Sequence, residues 1–418
     1  MAKEIKLYNT LSKEKEVFRA INQEEIKIYS CGPTVYHYAH IGNLRAYIFA
    51  DILNNTLREA GYNIKHQINI TDVGHLVSDS DEGEDKMEKG SLREGKSVLD
   101  VAEFYTQAFY SDLKDLNINK EKFIWTKATD YITEQIEMVK QLEEKGYTYK
   151  TSDGIYFDTS KFINYSELAR IDIDGLQKGK RIEDEKSEKK NKTDFALWKF
   201  SPTNEKRQME WESPWGIGFP GWHIECSAMS RAILGNHLDI HTGGIDHIPT
   251  HHTNEIAQSE CSLEDGKRFV NYWMHVNFLN ADKGKMSKSS GDFLRLKSIK
   301  EKNINPLSYK YLLLMTHYRK EIKFSWDSLD AANTAYQKLL KQVEKIKNNA
   351  NISETKNEAP SEEIKSYYEK FVNAMNDDLN TSIALATLWS LINDKNISDG
   401  EKYLSVKEMD KYFRLNLI

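Results

Sequence analysis

The sequence predicts an α/β protein in which a parallel sheet is broken by an insertion and followed by an antiparallel helical bundle. Three observations carry this prediction. A strand, a helix and a second strand follow one another between Glu25 and Ile70. Strand and helix signals return at Trp222 and Leu238, after a stretch that breaks that rhythm. Beyond Lys320 the apolar residues recur at helical spacing.

The first strand is the run Glu25–Ser30, which alternates apolar and polar residues and ends at Cys31-Gly32-Pro33. Leu44, Ile48, Ile52 and Leu57 then fall on one helical face, and Gly61 stops the helix. The second strand runs over Ile64–Ile70 and ends at Thr71-Asp72. Strand, helix and strand in so short a span form the crossover of a parallel sheet, which binds ligands outside the carboxyl ends of its strands. Residues Asp79 to Gly95 read as an acidic loop, and the run Lys178 to Lys192, mixed in sign, as a solvated one. In the tail, Leu339, Leu340, Val343 and Ile346 make one stripe. Ile364, Tyr368, Phe371 and Met375 make a second, and Leu385, Leu388 and Ile392 a third.

Composition bounds the rest. A chain of 418 residues, 39% hydrophobic and 29% charged, holds roughly two to four ordinary globular domains. No apolar run reaches the roughly 20 residues that cross a bilayer, and no apolar signal region follows the start. Three cysteines, Cys31, Cys226 and Cys261, are too few and too scattered for a disulfide framework. A net charge of −6 means that any nucleic acid must be held by a local basic patch. Lys338, Lys341 and Lys345 share one helix face and could form one, though the same face serves equally as a solvated surface.

Three groups of residues can carry chemistry. The first is His37-Tyr-Ala-His40-Ile-Gly42-Asn43, at the start of the first helix. A helix N-terminus offers unpaired N–H groups to phosphate, Gly42 permits close approach, and His40 can donate to developing negative charge. A plain helix cap accounts for the same residues. The second is Lys285-Met-Ser287-Lys288-Ser289, bounded by Gly284 and Gly291, whose ammonium and hydroxyl groups suit a polyphosphate. An exposed basic loop would look similar. The third combines Cys31 and Cys226 with His251 and Glu255, which lie at i and i+4 on one helical face. Two thiolates, an imidazole and a carboxylate could make a tetrahedral zinc shell, but residues scattered over more than 200 positions are a weak signal, and each cysteine alone reads first as a core thiol. His252 also shares a face with Glu255, whereas Cys261 falls about 120° round the helix and reads as a core thiol.

The segments His40-Ile-Gly-Asn43 and Lys285-Met-Ser-Lys-Ser289 resemble the paired signatures of class I aminoacyl-tRNA synthetases. The fourth position of the first signature is commonly His in that class and is Asn43 here; an amide can still donate hydrogen bonds. Cys31-Gly-Pro-Thr-Val-Tyr, Asn69-Ile-Thr-Asp, Phe195-Ala-Leu-Trp-Lys, Phe219-Pro-Gly-Trp-His-Ile-Glu-Cys and His251-His-Thr-Asn-Glu are similar, block by block, to the cysteinyl-tRNA synthetase family. The resemblance runs from about Ile5 through the helical tail.

That resemblance implies a Rossmann-type catalytic domain in two halves, residues 1–118 and 214–284, around an insertion over 119–213. Residues 285–325 become the second-signature loop and stem-contact region, and 326–418 a tRNA-binding bundle without the usual anticodon-contacting tail. It implies one zinc ion per chain on Cys31, Cys226, His251 and Glu255. Thr71, Trp222, His241 and Asp246 would surround the amino acid, with Asp246 pairing its ammonium. ATP, entering with magnesium, would be held by His37, His40, Gly42, Asn43, Lys285, Ser287 and Lys288, with His40 and Lys288 stabilising charge. The implied partners are L-cysteine, ATP and tRNA(Cys), in a cytoplasmic monomer. Zinc suits the task because it prefers a soft thiolate to a neutral hydroxyl, where an apolar pocket separates cysteine from serine by only about 1–3 kcal/mol. Two other readings remain: a ligase joining cysteine to an amino sugar in the mycothiol pathway, and a non-catalytic zinc-containing RNA-binding relative.

Overall fold

The computed structural model describes residues 4–74, 85–170, 188–202, 207–281, 294–351, 355 and 360–418. A hairpin of β1 (Lys6–Asn9) and β2 (Glu14–Val17) leads into β3 (Ile26–Ser30), α1 (Ile41–Glu59) and β4 (Ile64–Ile70). Then come α2 (Lys86–Glu94), α3 (Val98–Asp115), β5 (Ile124–Lys127) and α4 (Ile132–Glu144). An antiparallel sheet of β6 (Thr148–Lys150), β7 (Gly154–Phe157), β8 (Phe195–Phe200) and β9 (Gly218–Pro220) interrupts the α/β order. The order resumes with α5 (Trp222–Leu234), β10 (Leu238–Gly244), α6 (Thr253–Leu263) and β11 (Val270–Val276).

The central sheet is wholly parallel, in the order β11-β10-β3-β4-β5. Strands β3, β4 and β10 are buried along nearly their whole length, as parallel strands covered on both faces must be. Connections run outward in opposite directions from β3 and β10, so a crevice opens between their carboxyl ends. Ser30 and Thr242 lie 2.6 Å apart across that seam, at the lip of the crevice.

Two stretches differ from the sequence reading. Ile124–Lys127, placed in the insertion, pairs with β4 as the edge of the parallel sheet. Of the expected loop Asp79–Gly95, residues 75–84 lie outside the described ones, and Lys86–Glu94 is a helix. Asp85 caps it by accepting the Met87 and Glu88 amides, and Gly90 lets it approach the Tyr36 carbonyl, where a Cβ would fall at 3.2 Å. An acidic stretch with an internal glycine hides such a helix. Of the charged run, residues 178–187 lie outside the described part.

After β11 the chain forms β12 (Leu279–Ala281), α7 (Leu296–Glu301), α8 (Pro306–Leu314) and β13 (Ile322–Phe324), with β12 and β13 paired in parallel. The tail helices are α9 (Trp326–Asn349), α10 (Glu362–Asn376), α11 (Thr381–Asn393) and α12 (Asp399–Phe413). Leu339, Val343, Ile346, Phe371, Met375, Leu385 and Leu388 share one core, together with Val406, Met409 and Phe413 of α12. No described helix is long and apolar enough to cross a membrane.

Helix α1 is buried on almost every side, because the sheet takes one face while α8 and α12 take the other. Its Asp51 carboxylate meets the Lys310 ammonium at 3.1 Å, and both side chains are fully enclosed. Lys310 also donates to the Leu116 carbonyl at 3.3 Å, while burial pulls its pKa below the ordinary lysine value. Removing one member of such a pair leaves the other charged and dry. Lys310→Met is therefore expected to cost about 3–5 kcal/mol of stability in denaturant unfolding, and Lys310→Met with Asp51→Leu to recover most of it. Equal losses in the single and double variants would show that the pair does not act as one.

Candidate active site

The carboxyl ends of β3 and β10 bring together residues far apart in sequence. Cys31 follows β3 directly, and its amide donates to the Thr242 carbonyl of β10 at 3.1 Å. Gly32 must be a glycine, since a Cβ there would lie 1.5 Å from the Asn69 carbonyl oxygen. Cys226 lies in the second turn of α5, and a π-helical turn over Ile248–His252 swings His251 toward Glu255 on α6.

The donor atoms of Cys31, Cys226, His251 and Glu255 all lie within 4.8 Å of one another, and all four residues are buried. Zinc bonds of roughly 2.0–2.3 Å in a tetrahedron place ligand atoms within such a span, so the two thiols, imidazole and carboxylate fit that ion. Cys31, His241, His252 and Glu255 satisfy the same distance limit. The two sets differ in access. Cys31, Cys226 and His251 line a cavity, whereas His241 and His252 are not among its lining residues. A site that must receive a substrate atom needs that opening.

Outer contacts hold these groups in place. His223 Nδ1 lies 3.0 Å from His251 Nδ1, and His241 Nε2 lies 3.0 Å from Glu255 Oε2. His252 is engaged on both nitrogens, by Cys31 Sγ at 3.2 Å and by His275 at 2.7 Å. Burial disfavours charge on both members of the His251–Glu255 contact, 3.1 Å long. Against that burial, Glu255 and Cys226 push His251 up to about 10. His241 and His251 likewise outweigh burial and hold Glu255 at about 2.

The cavity has a volume of about 230 Å³. Thr71, Trp222 and Asp246 line its metal-donor end, and the Trp222 ring packs on His251 with centroids 4.4 Å apart. The other end is the N-terminus of α1, with His40, Gly42 and Asn43. A reciprocal cap forms there: His40 Nδ1 accepts the Asn43 amide at 3.1 Å, and Asn43 Oδ1 accepts the His40 amide at 3.3 Å. An acceptor Nδ1 carries no proton, so the neutral His40 ring is protonated at Nε2. The backbone amide at the fourth signature position thus fixes the tautomer of the histidine in the first, while the Asn43 side chain closes the cap on the His40 amide.

Of the other expected residues, His37 is not among those lining the cavity; its ring stacks on Tyr105 at 5.8 Å. His241 lies behind the donor cluster, stacked on Trp273 at 4.6 Å. Lys285, Ser287 and Lys288 lie outside the described residues. Cys261 is buried in an apolar cluster apart from the donors, as a core thiol would be.

Sequence reasoning missed Glu225 and Asn69. Glu225 is fully buried and accepts the Thr71 hydroxyl at 3.1 Å. Burial, with Asp72 nearby, pushes its carboxyl well above the usual range. Asn69 accepts the Gly32 amide at 2.7 Å and donates to Thr71 at 2.9 Å. Its place at the end of a buried strand and at the head of the block Asn69-Ile-Thr-Asp were the signals for it.

Known proteins resemble this chain over nearly its whole length. A family model described as the tRNA synthetases class I (C) catalytic domain matches residues 17–334, and a DALR domain model matches residues 370–412. A cysteine–tRNA ligase of Treponema denticola is 46% identical, over 99% of this chain and 86% of that protein. Cysteine–tRNA ligase 1 of Burkholderia lata is 48% identical, over 98% of this chain and 84% of that protein. Among solved structures, Mycobacterium tuberculosis methionyl-tRNA synthetase with methionyl-adenylate superposes with a TM-score of 0.62 at 14% identity, covering 94% of this chain and 90% of that one. An Agrobacterium radiobacter LeuRS–tRNA–LeuAMS complex gives 0.66 at 10% identity, over 94% and 84%. At such identities these two speak for the fold alone.

Proposed function

Since the chain belongs to the cysteine–tRNA ligases among the class I tRNA synthetases, we propose that the cavity between β3 and β10 activates L-cysteine with ATP and passes it to tRNA(Cys). The observation that carries this reading is a single cavity lined at one end by two thiols and an imidazole, with the buried Glu255 carboxylate beside them, and at the other by a capped helix N-terminus.

Cys31, Cys226, His251 and Glu255 would hold one zinc ion. Bound there, zinc supplies a Lewis-acidic position that favours a thiolate sulfur over a hydroxyl oxygen. Asp246, exposed at the cavity wall, offers a carboxylate to the substrate ammonium. Thr71, held by Asn69 and Glu225, and Trp222 would wall the space round the substrate side chain. Behind them His241 keeps Glu255 oriented. At the other end the α1 amides and the His40 Nε2–H face the phosphates of ATP, which enters with magnesium. His37, three residues before His40, belongs to that end by resemblance alone, and Lys285, Ser287 and Lys288 complete the phosphate site by resemblance to the second signature.

The cysteine carboxylate attacks the α-phosphorus, the bond to the bridging oxygen breaks, and pyrophosphate leaves. A ribose hydroxyl of the terminal adenosine then attacks the acyl carbon and AMP leaves. Positioning and fixed dipoles carry both steps, with no covalent enzyme intermediate. The reading implies a cytoplasmic monomer, with residues 326–418 contacting tRNA. It is tested by cysteine-dependent ATP–pyrophosphate exchange followed by charging of tRNA(Cys). Exchange with cysteine but transfer only to a glucosaminyl-inositol acceptor would replace it with the amino-sugar ligase, and absence of exchange with the non-catalytic relative.

A further inference from the structure

Arg45 is buried at 3% exposure, yet among the described residues no carboxylate forms an ion pair with it. Its guanidinium instead donates to three backbone carbonyls: Phe278 at 2.5 Å, Tyr318 at 3.2 Å and Lys320 at 2.6 Å. A dry, unpaired cation is costly, and an apolar residue of similar volume would serve stability better. What the cation gains is geometry, because a planar fork fixes the directions of three acceptors at once.

The three carbonyls have a common position. Phe278 lies in the middle of the stretch Val276–Asn280 that lines the cavity and runs into β12. Tyr318 and Lys320 precede β13, the parallel partner of β12. Arg45 itself lies in the second turn of α1, two residues after Asn43. The gap it spans is narrow: a Cβ on Gly42 would stand 3.7 Å from the Leu279 carbonyl. Two further bonds brace the same end of α1, from the Ile41 amide to the Leu294 carbonyl at 2.9 Å and from the Tyr309 hydroxyl to the Ile41 carbonyl at 2.7 Å.

We propose that Arg45 is a positioning residue for the nucleotide: it sets the separation between the α1 N-terminus and the Phe278–Asn280 wall, and so the width of the ATP end of the cavity. This rests on reading that end as the ATP site. Burial brings the guanidinium only to about 10, so it stays charged at neutral pH.

The test is the ATP dissociation constant of the full chain, measured by equilibrium dialysis in wild type, Arg45→Met, Arg45→Lys and Arg45→Ala. The Met variant should bind ATP about tenfold to a hundredfold more weakly, the loss expected when one wall shifts by a fraction of an ångström. The KM for cysteine in pyrophosphate exchange and the zinc content should stay within twofold. Lys, which can reach fewer carbonyls, should lie between Met and wild type, and millimolar guanidinium ion should restore ATP binding to the Ala variant. If Met does not fold, Lys and the rescued Ala variant decide. Unchanged ATP affinity, a parallel loss for ATP and cysteine, or a loss of thermal stability without any rescue would overturn the assignment. Wild type that binds ATP but shows no cysteine-dependent exchange would sink the proposed function instead, and the dialysis series would still judge Arg45.

Discussion

Cys226→Ser is expected to reduce the zinc content of the purified protein from one ion per chain to near none. Serine keeps the size of the side chain but offers a hydroxyl that stays protonated at neutral pH, where cysteine offers a thiolate. Loss of a Lewis-acidic substrate contact worth several kcal/mol corresponds to about 10³-fold or more in kcat/KM for cysteine. Pyrophosphate exchange and elemental analysis on the same sample read both effects. The alternative donor set sharpens the experiment, because Cys31, His241, His252 and Glu255 do not include Cys226. If Cys226→Ser kept a full ion while His252→Ala lost it, the metal would sit deeper, behind the cavity wall, and the substrate thiol could not reach it. The expected pattern is the reverse: His252→Ala retains the ion, since His252 is already occupied by Cys31 and His275.

The parallel sheet was legible because the isoleucines of β3 and β4 recur at even spacing, the two strands stop at Cys31-Gly32 and Thr71-Asp72, and a single helix separates them, as a parallel crossover requires. Strand β5 was not: it is a short edge strand, and Ile124 is left 36% exposed, so neither length nor alternation marks it. Helix α12 stayed hidden among charged residues, one of which, Lys402, is itself buried. For the site, spacing paired Glu255 with His251 or His252 and with nothing else. The convergence of Cys31 and Cys226 on them is a property of the sheet crossover and the π-helical turn, which no local window contains, and only the resemblance to a family pointed to it. The roles of Glu225, Asn69 and Arg45 were not legible for a related reason, although the first two lie inside blocks that resemble the family. A polar residue inside a helix or at a strand end looks like solvent-facing surface until the neighbouring element that buries it is known.

His40 supplies the second large effect, and its two roles can be separated. The ring both caps α1, through Nδ1, and presents Nε2–H at the phosphate end of the cavity. Alanine removes both, so His40→Ala should lower stability by about 1 kcal/mol and the rate of adenylate formation by about 10²–10³-fold. Asparagine is a strong N-cap whose side-chain oxygen can still accept the Asn43 amide, but its reach is too short to donate where Nε2 does. His40→Asn should therefore keep the unfolding midpoint of wild type while losing nearly the full 10²–10³-fold in kcat, with the KM for ATP changed little. That split follows from a donor that works only as charge builds on the phosphate oxygens: the ground-state complex gains little from it and the transition state gains most. A variant that regained activity in step with stability would show that the histidine acts only as a cap. In that case the α1 amides would be the main donors to the phosphate, and His40 would matter only for holding the helix end in register with them.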